Sequence, residues 1–173
     1  MNNDGGMAFH LSGVPWEYFG SLTFDLKRDK HVSQGRALRR VFVLLRELAC
    51  RRHVHFLEML WAVRWEKGEK GGLWHLHYLI AGTGKPSLQT TYVLQWLWAY
   101  RAGGGFSVNR LYDTSQAGVS YILKCLNVQE MSKFSDCLEV SKSTIAWLRS
   151  CRRRGHAVIG DVDALADRGA SVP

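Results

Sequence analysis

Two runs of alternating residues, joined by a short glycine-rich turn, restrict this chain more than anything else in it. From Phe56 to Glu66, Met59, Trp61, Val63 and Trp65 fall on one side of an extended strand, and Leu60, Ala62, Arg64 and Glu66 on the other. The segment KGEKGG at 67–72 turns the chain. Leu73 to Ala81, LWHLHYLIA, then returns with the same two-residue period. Trp74, Leu76, Tyr78 and Ile80 are expected to face a core, with Leu73, His75, His77 and Leu79 on the reverse side. Such a hairpin needs further strands and a covering layer to be stable.

The flanking segments supply both. Tyr18 to Phe24, rich in aromatic and β-favouring types, predicts a strand. Ser33 is a plausible N-cap for a helix to Arg52, in which Ala37, Val41, Leu44, Leu45 and Leu48 recur at helical spacing. A second helix is expected from about Ser87 to Arg101, broken by three glycines at 103–105, and a short strand from Phe106 to Leu111. A third helix, capped by Thr114 or Ser115, should reach Leu126, and a last one should run from Ser143 to Arg153. The order β-α-β-β-α-β-α predicts an α+β domain of the split βαβ type, ferredoxin-like or RRM-like. Its central antiparallel sheet should carry helices mainly on one face, leaving the other for a site. Residues 1–12 read as a flexible lead, 13–156 as the domain and 157–173 as an acidic tail.

The chain carries 23 basic and 15 acidic residues, a surplus that suits a polyanionic partner. No apolar run is long enough for a membrane span, and no secretory leader is recognisable, so an intracellular protein is expected. The four cysteines, Cys50, Cys125, Cys137 and Cys151, lack the close spacing of a zinc site and read as free, mostly buried thiols.

The sharpest chemical signal lies on the returning strand. His75 and His77 leave the same face, and Glu66 ends the neighbouring strand across the hairpin. Two imidazoles and one carboxylate, with positions left open, suit a catalytic divalent cation. Glu69 is a second acid nearby, but it sits in the glycine-flanked turn, so Glu66 is preferred. His53 and His55 have the same spacing among arginines with no matching acid, and read as surface or phosphate-contacting residues. On the third helix, Val119, Ile122, Leu123 and Leu126 form an apolar stripe. Tyr121 and Lys124 share the opposite side, as a nucleophilic phenol beside a cation would.

Together these features resemble the HUH endonucleases, of the single-tyrosine rolling-circle replication initiator (Rep) type. His75-Leu76-His77 matches the motif that names the family, and FGSLTF at 19–24 loosely matches its first strand motif. Glu66 matches the upstream acid, and Tyr121-Ile122-Leu123-Lys124 the tyrosine motif. Many relatives have a tyrosine directly after the lysine, where this chain has Cys125. No second tyrosine follows before Leu126, which favours a single-tyrosine enzyme.

The resemblance implies Mn²⁺ or Mg²⁺ on His75, His77 and Glu66. It implies attack by Tyr121 on single-stranded DNA at an origin or hairpin, giving a 5′-phosphotyrosine, with Lys124 in support. Many initiators of that family carry a helicase domain, and none fits in 173 residues, so any helicase is expected from the host or a separate chain, or the sequence is an excised domain. The compartment would be the bacterial cytoplasm, or the nucleus for a eukaryotic virus. Arg36, Arg39 and Arg40 on the first helix, and Arg152, Arg153 and Arg154 at the end of the last, are the expected DNA contacts. A transposase or relaxase-like strand transferase would use the same chemistry. A non-catalytic single-strand-binding module would need none of it.

Overall fold

A computed structural model describes residues 11, 13–25, 27, 29, 32–68, 73–114, 119, 122 and 138–153, with the side chains of residues 152 and 153 excepted. The elements are β1 (Tyr18–Thr23), α1 (Gln34–Arg52), β2 (Leu60–Lys67), β3 (Trp74–Ala81), α2 (Leu88–Trp96), β4 (Ser107–Leu111), β5 (Leu138–Val140) and α3 (Lys142–Arg153). The strands form one sheet in the order β4-β1-β3-β2-β5, and every neighbouring pair is antiparallel. The first four reproduce the split βαβ, ferredoxin-like order, and the fold class is α+β.

Local chemistry explains the helix ends. Ser33 caps α1 by accepting from the Arg36 amide, and Ser87 caps α2 by accepting from the Thr90 amide. His53 closes α1 in the left-handed conformation at φ 54°, its amide donating to the last turn. Beyond Trp96 the α2 helix widens into a π turn over Leu97–Arg101, closed by the Ala102 amide on the Leu97 carbonyl at 2.9 Å. This turn aims Trp98 into the core, where it is fully buried and its indole N–H donates to the Thr23 carbonyl at 2.8 Å.

Two cores flank the sheet. Tyr18, Leu22, Val63, Trp65, Leu76, Tyr78 and Ile80 pack with the stripe of α1 and with Leu94, Leu97 and Trp98. On the reverse face, Ala62, Leu79, Ala81 and Val140 pack with Ile145 and Leu148 of α3 and with Val119 and Ile122. The second face is therefore covered over β2 and β5. Phe19 of β1 also packs against this second core, whereas Phe106, just before β4, and Val108 and Arg110, along it, are exposed.

Several expectations shift. Residues Phe56–Glu58 form a 3₁₀ turn, so β2 starts at Leu60. Strand β5 was unforeseen; three residues are too few to show an alternation. It is held where Ser141 and Thr144 accept from the Trp61 amide, and Ser141 also caps α3 through the Thr144 amide. Trp74 lies on the core side of β3 but at its open end. It is 43% exposed and stacks on Trp65 with centroids 5.0 Å apart, so it is not the core residue the pattern suggested. Cys50 is exposed and Cys151 buried; Cys125 and Cys137 lie outside the described residues, as does the expected tail at 157–173. Of the expected lead at 1–12 only Leu11 is described, and it is fully buried in the second core. Of the expected third helix, Val119 and Ile122 are helical and buried. Among the described residues no helix is long and apolar enough to cross a membrane.

Candidate metal centre

The β2–β3 register fixes the site. Glu66 stands directly opposite His75, and Arg64 opposite His77, while β1 places Ser21 beside His77 and Thr23 beside His75. Alternation turns all of these to the same face. At the open end of that face three donors converge. His75 Nε2 and His77 Nε2 are 3.0 Å apart, His77 Nε2 and Glu66 Oε2 3.3 Å, and His75 Nε2 and Glu66 Oε2 4.0 Å. Two donors bound at right angles, each ~2.1 Å from one ion, lie ~3 Å apart, so the two shorter separations suit adjacent ligands of a single cation. Among the described residues these three form the one group with such geometry.

Exposure grades the donors. His77 is 3% exposed, while His75 and Glu66 are partly open to solvent. This leaves an approach for a further ligand from the solvent side. His77 is also the most firmly held. Its Nδ1 lies 2.7 Å from the Ser21 hydroxyl, and its ring stacks nearly parallel to Phe19. With the Nδ1 proton donated to Ser21, Nε2 keeps its lone pair toward the other donors, the tautomer a metal ligand needs. Ser21 was not singled out in the sequence. It sits within FGSLTF, and only the cross-strand register, 56 residues away, reveals its partner.

Burial, then the neighbouring His75 and then the Arg64 cation lower the His77 pKa from 6.5 to about 4. The neutral ring is the ligating form. In metal-free protein His77 will stay neutral across pH 5–7, and its ring ¹H NMR signal will titrate near 4 rather than 6.5. The unfolded chain takes up this proton first. The group therefore costs folded stability as pH falls from about 6.5 toward 4, and none above 6.5. A His77 signal titrating above 6 would contradict this.

The other expected site residues are distributed unevenly. Tyr121, Lys124, Glu69 and Arg154 lie outside the described residues. Val119 and Ile122, on either side of Tyr121 in the chain, are packed on the triad's face of the sheet. Arg152 and Arg153 belong to α3, which covers part of that face. Arg36 and Arg39 are exposed on α1, against the opposite face, and are not brought to the triad. Arg40 makes a two-pronged ion pair with buried Asp29 at 2.6 and 2.9 Å, which engages its guanidinium within the fold. His53 and His55 are exposed at the end of α1. No family model, curated protein or solved structure matches the chain, so its chemistry is read from its own residues.

Proposed function

We propose that this chain is a metal-dependent enzyme that nicks and rejoins single-stranded DNA through a tyrosine, as the HUH-type initiators of rolling-circle replication do. The observation that carries this reading is the convergence of Glu66, His75 and His77 at the open end of the sheet. The donor set fits a divalent cation, and the cation in this reading is Mn²⁺ or Mg²⁺. Bound there, it supplies Lewis-acid stabilisation of charge on a phosphodiester oxygen.

The chain's own residues supply the rest. His77 is kept neutral by burial and oriented by Ser21, so its ligating nitrogen is available at neutral pH. His75 and Glu66 leave the solvent side open for a DNA strand. The Tyr121 oxygen attacks the phosphorus as the phenol loses its proton. A Tyr–O–P bond forms, the P–O3′ bond breaks, and the leaving 3′ oxygen takes up a proton. The product is a 5′-phosphotyrosine and a free 3′-hydroxyl. Attack by a 3′-hydroxyl on that linkage reverses the step and rejoins or exchanges strands. A phenol of ordinary pKa of about 10 needs help at neutral pH, and Lys124 serves by stabilising the phenolate or the phosphate. The surplus of basic residues supplies salt-dependent attraction for the strand.

A covalent-adduct gel tests this. Incubated with Mn²⁺ and a random single-stranded DNA library, the protein will give a denaturant-resistant shift. Tyr121→Phe, His75→Ala and chelator will each remove it, and sequencing the trapped strands will reveal the target. Absence of both adduct and metal binding would overturn the enzyme reading and leave a binding module.

A further inference from the structure

Arg64 has no part in the reading above, yet its setting is unusual. It projects from β2 between Ala62 and Glu66, on the triad's face and directly opposite His77. It is 5% exposed. Taking a guanidinium out of water is costly, and an apolar side chain would fill the same space beside Leu138 without that cost. Packing alone therefore does not call for arginine here. Metal capture does not call for it either, because a buried cation beside His77 opposes the approach of a second one. Its Nη1 donates to the main-chain carbonyl of Ile122 at 3.0 Å, a buried bond across 58 residues of sequence. Ile122 is fully buried and directly follows Tyr121.

We propose that Arg64 is a positioning residue for the nucleophile. It ties the carbonyl of Ile122, the residue after Tyr121, to the strand that carries Glu66, and so constrains the distance between the phenol and the triad. This rests on the assignment of Tyr121 made above. The fork of a guanidinium suits the task better than an ammonium, because it is planar and loses less freedom in holding a fixed acceptor. Arg64 thus links the two halves of the site, the hairpin that holds the cation and the segment that supplies the oxygen. A displacement of about 1 Å between reacting groups costs about 100-fold in rate, which sets the size of the effect.

The test uses the full chain with its tyrosines replaced by 3-fluorotyrosine, comparing wild type, Arg64→Met and Arg64→Lys. The ¹⁹F signal of residue 121 is identified by its loss in Tyr121→Phe, and Mn²⁺ is the paramagnetic probe. In wild type, Mn²⁺ will broaden that signal strongly. Both Arg64 variants will bind Mn²⁺ and single-stranded DNA at least as tightly as wild type, but the broadening at residue 121 will weaken. Single-turnover adduct formation will slow by about 100-fold in Arg64→Met, with Arg64→Lys intermediate.

Wild-type broadening and rate in Arg64→Met would overturn the proposal while leaving the site intact. So would slowing that comes only from weaker strand binding. If Arg64→Met does not fold, Arg64→Lys decides by the same two readouts. Absence of broadening in wild type would instead overturn the assignment of Tyr121 itself.

Discussion

Alanine at His77 will lower the affinity for Mn²⁺ by more than about 100-fold in calorimetric titration, beyond the 10–100-fold that a supporting residue is worth. His77 is the middle donor: its Nε2 is within 3.3 Å of both others, and without it His75 and Glu66 are left 4.0 Å apart. It is also the donor held on both sides, by Ser21 and by the Phe19 ring. His75→Ala will lose a similar share of affinity with less loss of stability, since that ring is more exposed. Circular dichroism separates the two effects. Undiminished Mn²⁺ binding in both variants would mean that the triad is not the metal site.

Alanine at Gly104 will lower stability by about 3 kcal/mol, the upper end for overpacking a filled core. For a domain of this size that is a fall of about 6–12 °C in Tm. A Cβ at Gly104 would overlap the indole of Trp98, which is fully buried. Trp98 cannot withdraw freely, because its N–H donates to the Thr23 carbonyl and its own carbonyl accepts from the Gly104 amide. Thr23 in turn pairs with His75, so the disturbance reaches the strand beside the site. Gly35→Ala gives the contrast. Nothing lies within 4 Å of a Cβ there, and the position is helical and exposed. That change will raise stability by up to ~1 kcal/mol. Equal melting temperatures for the two variants would refute the packing argument.

The hairpin and its triad were legible because both follow from local periods. Alternation on either side of one turn is enough to set Glu66 near His75 and to pair His75 with His77. The cap at Ser33 was legible as well, as was the buried stripe it introduces. What failed depends on register between distant segments. Ser21 meets His77 only because β1 lies beside β3, and Arg64 meets Ile122 only because the chain returns over β2. Arg40 was expected to contact DNA, and its pairing with Asp29, eleven residues earlier, does not follow from helical period. Trp74 obeyed the alternation but lay beyond the reach of the covering helices, and alternation carries no information about where a layer ends.

All three donors lie on one hairpin, so little chain has to close to bring them together. Loop-closure entropy grows only with the logarithm of loop length, and for so short a loop it is about 2 kcal/mol. Ser21, by contrast, reaches His77 only after β1 has docked across a long intervening segment. The ligand set can therefore assemble early in folding, before the hydroxyl that orients its central imidazole is in place. In the metal-dependent reading proposed above, a cation would meet the chain first as a loose chelate and later as a held one. Its affinity would then rise as the sheet is completed and Ser21 comes to hold the His77 ring.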